Sequence, residues 1–69
     1  MTTATDLMMS SNNANSAEAA AQTLTDKVDQ DSEHEATLYT FDDASVLVIS
    51  GSQLNAYDDI DSAKAALTE

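Results

Sequence analysis

Residues 39–57 read YTFDDASVLVISGSQLNAY and contain all three aromatic residues of the chain together with its densest run of bulky apolar side chains. Val46, Leu47, Val48 and Ile49 form an unbroken β-branched and bulky run, too short for a helix and bounded by turn residues, which predicts the central strand of a sheet. Before it, Thr37, Tyr39 and Phe41 alternate with Leu38 and Thr40. Asp42, Asp43, Ala44 and Ser45 then break the alternation with turn chemistry. After it, Ser50, Gly51 and Ser52 surround the single glycine, the residue that takes φ > 0 at no steric cost, and the chain returns through Gln53 to Tyr57. The expectation is a three-stranded antiparallel meander, near the smallest sheet that is stable with one face covered.

A chain of 69 residues is one domain, and its sheet needs a helical cover to bury enough apolar surface. Asn15 or Ser16 can cap such a helix, with Glu18 three residues after Asn15 as in a capping box. Ala17, Ala21, Leu24 and Val28 recur at helical spacing and define its sheet-facing stripe. At the other end, Asp58, Asp59 and Asp61 precede Ile60, Ala63, Ala66 and Leu67, the pattern of a second helix with an acidic, capped start. The predicted class is therefore α+β in the order α-β-β-β-α over residues 15–69, with Leu24, Val28, Phe41, Leu47, Ile49, Leu54, Ile60 and Leu67 as core candidates. Residues 1–14 lack a period and are rich in Thr, Ser and Asn, which predicts a flexible lead-in carrying Leu7, Met8 and Met9.

Charge is the strongest compositional signal. Thirteen Asp and Glu stand against two Lys and Arg, a formal net charge of -11. Such a field repels nucleic acid and anionic membranes and steers basic surfaces inward. Within DKVDQDSEHE, residues 26–35, five acids share ten positions with one lysine. Stability does not ask for this crowding, because neighbouring like charges cost free energy. The segment is expected to be a solvated helix end and loop. A calcium loop does not fit: with Asp29, Asp31 and Glu33 as the first ligands, His34 falls where glycine is needed and Thr40 where the bidentate glutamate is needed.

There are no cysteines and one histidine, His34, and no serine lies in a nucleophile-elbow or phosphate-loop context. Asp42 and Asp43 are adjacent acids in a turn, the placement of turn formers rather than of an acid and base pair. No enzyme, metal or cofactor is expected. No stretch reaches membrane-spanning length, and the N-terminus lacks a basic-then-apolar secretion signal.

The run Tyr39-Thr40-Phe41-Asp42-Asp43-Ala44-Ser45-Val46-Leu47, followed by Ser50-Gly51 and the aspartate-rich segment Asp58 to Ser62, resembles the core of a phage-encoded anti-CRISPR family. Glu18-Ala19-Ala20 and Lys27 fall in the same register, so the resemblance covers roughly Ala17 to Lys64. The family includes an acidic DNA mimic that blocks the type I-F surveillance complex. The resemblance implies a monomeric inhibitor, working in the cytoplasm of an infected bacterium, that occupies the basic cleft where the complex grips duplex DNA, on its large subunit. It implies no direct nucleic-acid binding and no membrane. The relative continues into a longer acidic helical region where this chain stops at Glu69, which leaves type I-F and type I-C complexes both open as targets. The carboxylates expected to meet the partner are Asp26, Asp29, Asp31, Glu33 and Glu35 in one cluster and Asp58, Asp59 and Asp61 in another. A competing expectation is an acidic interaction module that neutralises a basic protein without imitating DNA.

Overall fold

The apolar run at the centre of the sequence is buried on both sides. A computed structural model describes residues 2–68, in the element order α1 (Thr3–Ser10), α2 (Ala14–Leu24), β1 (Val28–Asp31), β2 (Ala36–Thr40), β3 (Val46–Ser50), β4 (Gln53–Tyr57) and α3 (Ile60–Leu67). The four strands form one antiparallel sheet in the order β1-β2-β3-β4. Along β3 the side chains alternate, so Leu47 and Ile49 join Tyr39 and Phe41 on one face while Val46 and Val48 join Ala36 and Leu38 on the other. The first face is closed by α1 and α2 through Ala4, Ala14, Ala17 and Ala21, and the second by α3 through Ala63. An unbroken apolar strand is what a sheet covered on both faces requires. Alanine at the contacts lets each helix backbone approach the sheet closely.

The meander β2-β3-β4 and the acid-capped last helix match the sequence reading. Asp59 is the N-cap of α3, its Oδ1 accepting from the Ser62 N–H at 2.7 Å. Gly51 adopts φ 60° in the two-residue β3–β4 turn, a left-handed conformation that favours glycine.

Several expectations are corrected. Residues 3–10 form a helix rather than a flexible lead-in, because tertiary partners satisfy its orphan N–H groups. The Thr3 N–H donates to Asp43 Oδ2 at 2.9 Å, the Ala4 N–H to Ser45 Oγ at 3.2 Å, and the Thr5 N–H to the capping Thr2 Oγ1. Ala4 is fully buried, so the folded unit does not begin at residue 15. The second helix is capped by Asn13, whose Oδ1 accepts from the Ser16 N–H at 2.9 Å, and not by Asn15 or Ser16.

That helix stops at Leu24, and the sheet has four strands where three were expected. Thr25 turns extended, its Oγ1 donating to the Thr40 carbonyl at 2.7 Å and accepting from the Lys27 N–H. The chain is thereby tied to the end of β2 and continues beside it as β1. Ala17 and Ala21 face the core as expected, but Leu24 and Val28 are 54% and 42% exposed.

Candidate acidic binding surface

Strand register decides which carboxylates meet. Val28 pairs with Tyr39, Tyr39 with Leu47, and Leu47 with Ala56, so the starts of β1 and β3 and the ends of β2 and β4 share one end of the sheet. That end gathers Asp26 from the α2–β1 link, Asp42 and Asp43 from the β2–β3 turn, and Asp58, Asp59 and Asp61 from the entry to α3. Asp26 and Asp42 border a common hollow of about 310 Å³ with Lys27. The β1–β2 turn, with Glu33 and Glu35, lies at the opposite end. Five strand residues advance about 16 Å, so the Asp58–Asp61 group and the Glu33–Glu35 turn form two separate ends rather than one patch.

Between them runs β1. Asp29 and Asp31 stand opposite Leu38 and Ala36, on the face that α3 covers, and Val28 and Gln30 stand on the other. The cluster expected at a helix end is therefore an edge strand and its turn. Helix α3 leaves a groove of about 500 Å³ beside this strand, lined among others by Asp29, Asp31, Glu33, His34, Leu38 and Lys64.

Two turns hold their acids in contrasting ways. Asp31 and His34 close the β1–β2 turn locally. The Asp31 Oδ1 accepts from the His34 N–H at 3.1 Å, and its Oδ2 lies 2.8 Å from His34 Nδ1. The bond to the imidazole, above all, holds the Asp31 carboxyl below its ordinary range. Asp31, Glu33 and His34 do bring ligand-type atoms within 4.8 Å of one another. The bonds within the turn account for that grouping.

Asp43 works over a longer distance. Its Oδ1 accepts from the Ser45 hydroxyl and N–H, and its Oδ2 from the Thr3 N–H and hydroxyl. The Ser45 hydroxyl and then the Thr3 N–H hold its carboxyl far below the usual carboxylate range. Ser45 is itself fully buried. Asp42 and Asp43 are expected in part as turn formers; an aspartate two residues before a serine is an Asx-turn signal, but its partner on α1 carries no local signature. Asp59 is likewise held low, by the Ser62 N–H that it caps.

None of the described acids is buried, and the one close contact between an acid and a basic side chain among the described residues joins Asp31 to the His34 imidazole, which is charged only when protonated. Neither lysine neutralises a carboxylate within that set. The outcome is a negative surface that runs down one sheet edge and around one sheet end. No helix among the described residues is long and apolar enough to cross a membrane. No family model, curated protein or solved structure matches the chain.

Proposed function

We propose that the protein is an inhibitor that sets its acidic edge and the adjoining sheet end into the basic, duplex-gripping cleft of a type I CRISPR surveillance complex, type I-C or type I-F, and so excludes target DNA. One observation carries the reading: none of the described carboxylates is buried and none is paired with a lysine, Asp31 alone having a nearby basic side chain in the His34 imidazole. An uncompensated row of this kind costs stability through self-repulsion and is repaid when a basic surface neutralises it. Its spacing also suits a cleft shaped for DNA. Asp29 and Asp31, two strand positions apart on one face, advance about 6.6 Å, close to two of the roughly 3.4 Å steps between charges on one DNA strand. The choice of complex rests on the resemblance of residues 39–47 and the aspartates that follow, and the same resemblance supports the large subunit as the contact and a monomer as the active form.

The reading is tested by affinity for purified type I-C and type I-F complexes at rising salt and in the presence of duplex DNA. Binding should weaken steeply between about 50 and 200 mM salt, as contacts between exposed charges are screened, and duplex DNA should compete. Asp29→Asn with Asp31→Asn and Glu33→Gln should weaken binding while the protein remains folded by thermal melt. Affinity that ignores salt and survives those substitutions would end the proposal. Binding that duplex DNA does not compete would leave an acidic module acting on a basic protein without mimicry.

A further inference from the structure

We propose that the outer edge of β1 is a docking strand that captures an extended, basic segment of a partner protein by adding it to the sheet. The inference rests on the partner being a basic protein, and not on its being a surveillance complex. The backbone supplies the first argument. The Thr40 N–H donates to the Lys27 carbonyl across the β1–β2 ladder at 3.0 Å. Hydrogen-bonded pairs alternate in an antiparallel ladder, so Asp29 and Asp31 also bond inward and Val28 and Gln30 point their N–H and C=O groups outward. No described hydrogen bond outside the ladder reaches those outward groups. They form a short template for a further strand.

Side chains and surface shape say what kind of strand fits. On one face an added strand would meet Asp29 and Asp31 beside the groove of about 500 Å³, with Glu33 at its rim. On the other face it would meet exposed Val28, with exposed Leu24 close by in the chain. Three hollows adjoin β1 or the residues just before it: the large groove holds Asp29 to Asp31, a hollow of about 160 Å³ holds Gln30 and Asp31, and that of about 310 Å³ holds Asp26 and Lys27.

Charge selects the occupant. A second copy of this chain would bring Asp29 and Asp31 against their own like, and acids on a sheet edge oppose such self-pairing. A segment with Lys or Arg at alternate positions places its cations over those carboxylates and its small apolar residues beside Val28. The opposite edge, β4, reads QLNAY and has no charge to offer such a segment.

The experiment uses the full chain and a capped peptide of about eight residues alternating Arg and Val, long enough to span a strand. A control peptide carries the same side chains with alternate backbone nitrogens methylated, which keeps the charge and removes the donors. The control should bind at least about tenfold more weakly, a loss of about 1.4 kcal/mol. In the complex with the unmodified peptide, hydrogen exchange should slow at the Val28 and Gln30 amides. Gln30→Pro should abolish binding while leaving the melt near that of the parent, since the Gln30 nitrogen faces outward and proline there removes no ladder bond. Equal binding of both peptides would overturn strand addition and leave charge attraction alone, and retained affinity in a folded Gln30→Pro variant would do the same. No surveillance complex enters this test, so its failure and that of the proposed function are read separately.

Discussion

The two hairpins that share β2 are built from similar ingredients and do opposite jobs. In the β2–β3 hairpin both strands are covered on both faces, and the turn is fastened to α1 through Asp43 and Ser45. In the β1–β2 hairpin the outer strand is exposed except at Asp31, and the turn bonds only to itself through Asp31 and His34. Both turns carry acids, and both hold a non-glycine residue in the left-handed region, Ala44 at φ 71° and Glu35 at φ 54°. The difference lies in what each is packed against. One hairpin organises the core, and the other presents charge.

The largest effect that would break this contrast lies in the core. Leu47 is fully buried between the helices and β2, and Leu47→Ala should cost about 2 to 5 kcal/mol, a large part of the stability of so small a domain. Val28→Ala and Leu24→Ala should each change stability by no more than about 0.5 kcal/mol, as surface substitutions do. Urea melts of the three variants check this. Comparable losses at Leu47 and Val28 would mean that β1 belongs to the core and is no presenting edge.

Next in size is the contribution of the two turn aspartates. Both carboxyls are held below their ordinary value of 3.8 in the folded state. A depressed carboxylate stabilises the fold above its unfolded pKa, and that contribution is lost as pH falls through the folded one. The gap in melting temperature between the parent and Asp43→Asn should therefore be full at neutral pH, begin to narrow as pH falls below about 4, and close only well below the usual carboxylate range. The corresponding gap for Asp31→Asn should follow the same direction and be smaller, because its bonds stay within one turn. Helix α1 provides the second readout, since its amides should exchange faster in Asp43→Asn and not in Asp31→Asn. A gap at Asp43 that does not change with pH would remove the carboxylate as the fastener.

The same contrast explains what could be read in advance. The meander, the Gly51 turn, the Asp59 cap and the buried Ala17 and Ala21 are signalled by residues close together in sequence. Helix α1 was not legible, because the acceptors for its first N–H groups lie 40 and 41 residues away at Asp43 and Ser45. The spacing of Leu24 and Val28 continued a helical stripe that the Thr25 bond to Thr40 interrupts. Strand β1 reads VDQD, with one strong strand former among four residues, and is ordered by the ladder that β2 supplies. The acids of the candidate surface were visible as residue types. Their grouping was not, because Asp26 sits with Asp42 at one end of the sheet only through strand register.

The smallest expected effect tests how rigidly each turn is held. A left-handed residue with a Cβ carries a strain of about 1 to 2 kcal/mol, which glycine relieves at an entropic cost of about 0.5 to 1 kcal/mol in the unfolded chain. At Ala44 the conformation is enforced from both sides. The Ala44 N–H donates to the Phe41 carbonyl, and the Phe41 N–H to the Ser45 carbonyl, each at 2.9 Å, while Asp43 and Ser45 hold α1. Ala44→Gly should thus recover the full difference, about 0.5 to 1 kcal/mol. Glu35 sits in a turn that projects from the sheet and can yield, so Glu35→Gly should gain less. Urea midpoints at constant slope measure both gains. A larger gain at Glu35 than at Ala44 would show that the β1–β2 turn is the more rigidly held of the two, and the division between an organising and a presenting hairpin would have to be reversed at their turns.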